Sequence, residues 1–356
     1  LTTDDEEATG GADLVEGNAG SDIILGGVND GGVDYLYGDA RNPVSNLDGN
    51  DIILGDNGLL DYGVTGDLND LDLIETTARS AGGVVLGGVD HIFGNAGADT
   101  AFGGSDGDRI FGDNDESIDL SGIADLFGTD SGEDILVGDQ GKVVRENDIV
   151  TLIETTDFAD FDGGESENAE GGSDTIQGND FDDIILGGVD GDFLHGETEL
   201  FNGAAVGDLV TNAGDDIIIG DEGRLIYNLS AADSGYLVES RPGSGDDDLQ
   251  IPGDENASTL DVVETFATGS LGGNDVIYGN GNSALDEGDI AMGGSGDDTI
   301  FGDFYLGSLT AALAPGKDVL LGDGGQMAFF DEEVTLLRTI EPDQGGSDTI
   351  QGNDLD

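Results

Sequence analysis

Cysteine and tryptophan are absent from this chain of 356 residues, which has five prolines, two histidines and nine lysines and arginines. Without cysteine no disulfide can staple the fold, and bound metal is the substitute for a weakly cored chain. With so few cations there is no basic patch to hold nucleic acid or anionic lipid. No apolar run approaches the roughly 20 residues of a membrane span, so neither nucleic acid binding nor membrane insertion is expected. Neither His-Glu-x-x-His nor a Gly-x-Ser-x-Gly elbow occurs, and His91 and His195 stand far apart in the chain. Among so many carboxylates some pair always resembles a glycosidase dyad, by composition alone. The chain is therefore expected not to be an enzyme. Leu1 is no initiator, and no signal-peptide pattern follows it.

What the chain has is acid and glycine: 79 Asp and Glu, 65 Gly and a formal charge of −70. Like charge at this density repels itself, so a compact fold needs a cation that the sequence does not supply. Composition alone would suggest a disordered acidic chain. Register argues otherwise, because the glycines recur at fixed offsets from Asp and Ile. Gly293 to Phe301, GGSGDDTIF, shows the pattern most plainly. Its first part can only turn, since glycine supplies positive φ and close backbone approach, while Thr299-Ile300-Phe301 is a β-former run. Turn carbonyls and the Asp298 carboxylate offer hard oxygen ligands suited to Ca²⁺.

Asp followed by an apolar residue at the second position and Gly at the fourth marks each such turn. The sets are Asp13, Asp22, Asp34 and Asp51; Asp90, Asp99, Asp108 and Asp134; Asp174, Asp183, Asp192 and Asp216; Asp275, Asp289, Asp298 and Asp318; a fifth opens at Asp348. Between sets stand GDNG at 55–58, GDQG at 138–141, GDEG at 220–223 and GDGG at 322–325, spaced by 138 − 55 = 83, 220 − 138 = 82 and 322 − 220 = 102. A long period is thus built on a short one of nine, with an insertion in the third gap. After each GDxG comes an apolar segment (59–62, 142–144, 224–227, 326–330) and then a second, LIETT 73–77, LIETT 152–156, VVETF 262–266 and LLRTI 336–340. Both have the composition of strands without the acidic turn.

The nonapeptide GGxGxDxUx, with U a large apolar residue, resembles the hemolysin-type calcium-binding repeat of the RTX proteins. That resemblance implies an all-β fold, a right-handed parallel β-roll or β-solenoid with edge loops. It also implies that Asp in one turn shares an ion with the turn one coil later, and Asp90 with Asp108, and Asp174 with Asp192, have the 18-residue separation. Asp39, Asp113, Glu197 and Asp303, before the irregular stretches, and Asp56, Asp139, Asp221 and Asp323, in the GDxG elements, are expected to complete shells where the next turn is missing.

Six strands per unit, alternating between two parallel sheets, would keep parity. Units of 1–77, 78–156, 157–265 and 266–339, with a fifth starting at 340–356, would then stack straight as one continuous solenoid. Each would rise about 14 Å, and the whole about 60 Å. Parity also puts the irregular stretches 40–49, 114–131, 197–213 and 304–316 on one edge, as an interaction surface or a lid. The segment 231–260, with Asp246-Asp247-Asp248, is expected to be a surface excursion or an additional cation site. The array is expected to run on past both ends. Together these features suggest an extracellular or cell-surface structural protein, an adhesin stalk, surface layer or filament, exported by a type I-like route as the resemblance implies. Its partners would be calcium ions, neighbouring repeats and other copies of itself. The alternative is the C-terminal secretion and folding module of a type I-secreted toxin or hydrolase. Ice binding would need a Thr or Asn row on every coil, and the Thr pairs come once per unit.

Overall fold

The structure, a computed structural model, describes residues 10–29, 31–41, 49–64, 66, 68–77, 79–81, 84–113, 132–156, 171–179, 181–197, 214–227, 256, 258–266, 272–279, 288–302, 317–330, 333–340 and 345–352. The first unit runs β1 (Leu14–Glu16), β2 (Ile23–Leu25), β3 (Val33–Tyr37) and β4 (Ile52–Leu54), then β5 (Gly58–Asp61) and β6 (Leu73–Thr76). A short hairpin, β7 (Arg79–Ala81) and β8 (Val84–Leu86), precedes the second unit: β9 (Val89–Phe93), β10 (Thr100–Phe102), β11 (Arg109–Phe111), β12 (Ile135–Val137), β13 (Gly141–Glu146) and β14 (Ile149–Thr155). The third has β15 (Thr175–Asn179), β16 (Ile184–Leu186), β17 (Phe193–Glu197), β18 (Ile217–Ile219), β19 (Gly223–Ile226) and β20 (Val262–Thr265). The fourth has β21 (Val276–Tyr278), β22 (Ile290–Gly294), β23 (Thr299–Phe301), β24 (Val319–Asp323), β25 (Gly325–Phe330) and β26 (Glu333–Thr339), and β27 (Thr349–Gln351) opens the fifth.

The chain winds between two parallel sheets. A front sheet of nine strands has the order β1-β3-β9-β11-β15-β17-β21-β23-β27, and a back sheet of eight has β2-β4-β10-β12-β16-β18-β22-β24. Order in each sheet follows order in the sequence, as in a β-roll. The central residue of each triplet points into the roll. Leu36, Ile92 and Ile110 from the front meet Ile53, Leu136 and Ile185 from the back, all fully buried.

The six-strand unit of the sequence analysis needs correction. Only four strands per unit enter the parallel sheets. The two after each GDxG form an antiparallel hairpin, and the hairpins join into a third sheet of order β26-β25-β20-β19-β14-β13-β6-β5. The reason is burial. Back-sheet triplets such as IIL, ILV and III are apolar at all three positions, so their outward side chains need a cover. Leu54, Phe102 and Val137 of the back sheet pack against Ile74, Val143 and Ile153 of the hairpin sheet in one cluster. The front sheet carries polar or aromatic residues at those positions, as in RIF and TIQ, and its aromatics cover one another, Tyr37 stacking on Phe93 and Phe93 on Phe111. Four is still even, so parity survives, but each unit makes two coils and rises about 10 Å, not 14. Nine front strands span about 40 Å rather than 60.

The second glycine of GDxG is what turns the chain across the back sheet. A Cβ on Gly58 would lie 1.9 Å from Leu54 Cδ2, and one on Gly223 2.8 Å from Ile219 Cδ1. Successive hairpins are then latched by threonine. Gly141 N–H donates to Thr76 Oγ1 at 2.8 Å, Gly223 N–H to Thr155 at 2.9 Å and Gly325 N–H to Thr265 at 3.0 Å.

Candidate metal centre

Each Asp that opens a strand stacks under the Asp of the next coil. In the front sheet Asp90 N–H donates to Asp108 Oδ1 at 2.8 Å, Asp108 to Asp174 at 2.7 Å, Asp174 to Asp192 at 2.8 Å and Asp192 to Asp275 at 2.8 Å. In the back sheet the same bond joins Asp51 to Asp99, Asp99 to Asp134 and Asp134 to Asp183, at 2.7, 2.7 and 2.9 Å. Two columns of carboxylates therefore run the length of the roll, one on each edge. The back-column residues sit in turns that lead from front to back, the loop edge. Front-column residues sit in turns that lead from back to front, where the hairpins depart.

One oxygen of each carboxylate is held by this ladder, and the other is not. Asp34, Asp90, Asp108, Asp174, Asp192, Asp275 and Asp298 each have a buried Oδ2 with no hydrogen bond. That atom lies against the glycine that closes the preceding strand. A Cβ on Gly103 would come within 2.2 Å of Asp108 Oδ2 and 2.3 Å of the Gly138 carbonyl, and one on Gly138 within 2.0 Å of Asp174 Oδ2 and 2.4 Å of the Gly187 carbonyl. Only glycine leaves room for a carboxylate oxygen and a neighbouring carbonyl oxygen to approach. This donor set, all hard oxygen and partly main chain, fits Ca²⁺. Among the described residues no group of three or more Asp, Glu or His side chains is gathered tightly enough to hold a metal by itself. Carbonyls must therefore supply a large part of any shell.

The electrostatics ask for a cation. Burial pushes the Asp108, Asp174 and Asp192 carboxyls far above their ordinary value, with neighbouring aspartates adding to the shift on Asp108 and Asp192. Burial, with other Asp charges behind it, pushes Asp90 up to about 8, Asp275 to about 9 and Asp298 to about 6. The spacing anomaly between Asp22 and Asp34 has a local consequence. The longer turn carries Asn29, whose Nδ2 donates to Asp90 Oδ1 at 2.9 Å and to the Val89 carbonyl at 3.2 Å.

The seventeen strand-opening aspartates all fall in the two columns, with Asp13, Asp22, Asp318 and Asp348 at the less buried ends. The second carboxylates do something the sequence analysis missed. In the first coil of a unit the second turn residue has positive φ, as Asn at 18, 95 and 179 or Gly at 27, 104, 188 and 294. In the second coil that residue is Asp or Glu, and the turn opens into a loop or hairpin. Its carboxylate accepts the N–H of the third turn residue one coil on: Asp39 from Ala96 at 3.3 Å, Asp56 from Ser105 at 2.7 Å, Asp139 from Val189 at 2.6 Å, and Asp221 from Ser295. The signal was legible as an alternation of GN or GG with GD. These side chains are not the solvated turn residues that position alone would suggest, since Asp39, Asp56, Asp113, Asp139 and Asp221 are all buried. Asp323 is half-buried, beside Gly345, and Asp303 lies outside the described residues, as do most of the irregular stretches and of the excursion 231–260.

His91 and His195 are both on the front sheet, separated by β11 and β15, and His195 is buried, stacking on Tyr278 at 4.5 Å.

A roll of this kind, wound on glycine turns with carboxylates between the coils, defines a class of calcium-repeat folds. The family model for the RTX calcium-binding nonapeptide repeat, four copies, matches residues 7–42, 86–117, 168–198, 207–224 and 284–304. The chain carries RTX calcium-binding nonapeptide repeats along its length. No curated protein matches it.

Proposed function

We propose that this chain is a calcium-set structural element of an extracellular protein, a stalk, layer or filament segment, and not an enzyme. The observation that carries this reading is the column of buried, unbonded Asp Oδ2 atoms repeated along the front sheet from Asp34 to Asp298. The front-column turns repeat one geometry, and a repeated structural unit is the use that such uniformity suits. Calcium would sit between coils on the Oδ2 atoms and glycine carbonyls, supplying the positive charge that −70 demands and crosslinks that the absent cysteines do not. Secretion accords with this, because calcium at millimolar levels is found outside cells and folding would follow export.

The second reading, a folding module behind a secreted toxin or hydrolase, is favoured by the repeats themselves and opposed by the hairpin sheet, which adds a third layer to every unit. The parent polypeptide separates the two. Antibody raised to this chain should recover a parent whose peptide map shows further units on both sides and which labels at the cell surface in immunogold images. A protease or lipase domain upstream, with the parent free in the medium, would overturn the structural reading.

A further inference from the structure

The junctions between units are built alike but finished differently. Asp139 has an N–H on each oxygen, Gly172 at 2.9 Å and Val189 at 2.6 Å. Asp221 likewise accepts from Gly273 at 3.1 Å and from Ser295. At the first junction Asp56 Oδ2 accepts from Ser105 at 2.7 Å, but Oδ1 is buried without a donor. The next residue, Asn57, is 1% exposed, and neither its Oδ1 nor its Nδ2 has a hydrogen-bond partner. Thr77 closes the hairpin by donating its N–H to the Asn57 carbonyl at 2.8 Å, and its Oγ1 is buried and unbonded too. Buried polar atoms are rarely left unmet, and here four fall on three residues in contact through one turn and one hydrogen bond.

The other junctions lack this combination. At the second, Gln140 Oε1 and Thr156 Oγ1 are also buried and unbonded, but Gln140 Nε2 donates to Ser105 Oγ at 3.2 Å and both Asp139 oxygens have donors; at the third and fourth, backbone bonds join Phe266 to Glu222 and Ile340 to Gly324. A water could meet some of the four atoms but would bring no charge. Asp56 stands among the charges of Asp90, Asp106 and Asp34, and both ion pairs found among the described residues lie in the hairpin sheet. Carboxylate, amide and hydroxyl oxygens together suit a hard divalent cation.

We propose that Asp56, Asn57 and Thr77 form a calcium site where the first hairpin leaves the roll, separate from the turn sites between coils. The proposal rests on the calcium-loaded reading of the roll, and its residues are the second and third of GDNG and the last of LIETT. Of the three, only Asp56 stands at a turn position, and none is a strand-opening aspartate.

The test is a count of bound ions. Full-length chains equilibrated at a fixed free calcium concentration are assayed by atomic emission, with Asp56→Asn, Asn57→Ala, Asp139→Asn and Asp108→Ala beside the wild type. Asn57→Ala leaves the Asp56 to Ser105 bond untouched, so it decides the matter even if Asp56→Asn disturbs the junction. The expected result is loss of one ion per chain in Asn57→Ala and in Asp56→Asn, and no loss in Asp139→Asn. Loss in Asp108→Ala with none in Asn57→Ala overturns this site and leaves the turn sites standing. Loss in Asp139→Asn equal to that in Asp56→Asn overturns the assignment to the first junction. A wild type that takes up no calcium overturns the turn sites and this one together.

Discussion

The roll and the hairpin sheet solve the same problem, stacking identical strands along one axis, with opposite electrostatics. In the roll every stacked side chain at the turns is an aspartate, and like charges sit one strand apart. Across the hairpin sheet the corresponding row alternates, Glu75 to Lys142 to Glu154 to Arg224 to Glu264, each directly opposite the next. Lys142 reaches Glu154 at 3.2 Å, and Arg224 pairs with Glu264. Of nine Lys and Arg in the chain, Lys142, Arg145, Arg224 and Arg338 are in this one sheet. The hairpin sheet thus offsets much of its charge internally, and the roll leaves that balance to something outside the chain. It follows that cation removal should strike the two unequally.

Chelation is the harshest way to test the contrast. With the cations gone the roll has two columns of carboxylates and no counter-charge, and the native fold should be lost. The hairpin sheet is left with its latches but without the back sheet it packs on. Circular dichroism should show most of the β signal lost in chelator and regained with millimolar calcium. A native spectrum and melt that persist in chelator would sink the claim that the roll depends on ions.

Acid should partly replace calcium. The front-column carboxyls have folded-state values raised above the unfolded value of 3.8, to about 8 for Asp90, 9 for Asp275 and 6 for Asp298, chiefly by burial. A raised group contributes stability that is fully present below its unfolded value and lost as pH climbs through its folded value. In chelator, then, the melting temperature should be highest near pH 4 and fall progressively up to about pH 9. In calcium the same carboxylates are needed ionised, and stability should rise over the lower part of that range. Parallel profiles with and without calcium would mean that these carboxyls are not where the ion acts.

The roll was legible in the sequence because its geometry is written in single residues. Asp298 and Gly302, four apart, mark a turn, a strand and the next turn, and that offset fixes both sheets and both carboxylate columns. The hairpin sheet was half legible. Segments 59–62 and 73–77 had the composition of strands, but nothing local distinguishes a third parallel strand from an antiparallel return. The information was in the back-sheet triplets, where Ile217-Ile218-Ile219 has no polar position to leave in water. The junction carboxylates were legible as a class but their hydrogen-bond partners were not, since the N–H that Asp139 accepts belongs to Val189, 50 residues away. The hairpin β7 and β8 had no signal, Arg79-Ser80-Ala81 being a poor strand by composition.

A single aspartate should cost less than losing all ions and more than any hairpin-sheet charge. Asp108→Ala removes the acceptor of the Asp90 N–H and the Oδ2 beside Gly103 and the Gly138 carbonyl. In calcium it should cost about 1–3 kcal/mol, the range for leaving a buried polar group unsatisfied. In chelator above pH 8 the same change removes a repelling charge and should cost far less. Melting curves of the variant in both buffers give the two values, and equal costs would show that the carboxylate serves as a structural acceptor with no part in ion binding.

The smallest effect expected is at Lys142. Its ion pair with Glu154 is 3.2 Å long, yet the two side chains keep 28% and 21% of their exposure. Pairs this wet are worth about 0.2–1 kcal/mol, because water screens the attraction and both side chains give up rotamers to form it. Lys142→Ala should therefore lower stability by less than 1 kcal/mol. Because the pair is made within the sheet and no calcium enters it, the loss should be the same at low and high free calcium and should shrink in molar salt. A double-mutant cycle with Glu154→Ala, run at two calcium concentrations, measures the coupling directly. Coupling that grows as calcium falls would mean that the hairpin sheet takes up load when the roll weakens, and the division of labour between the two regions would have to be redrawn.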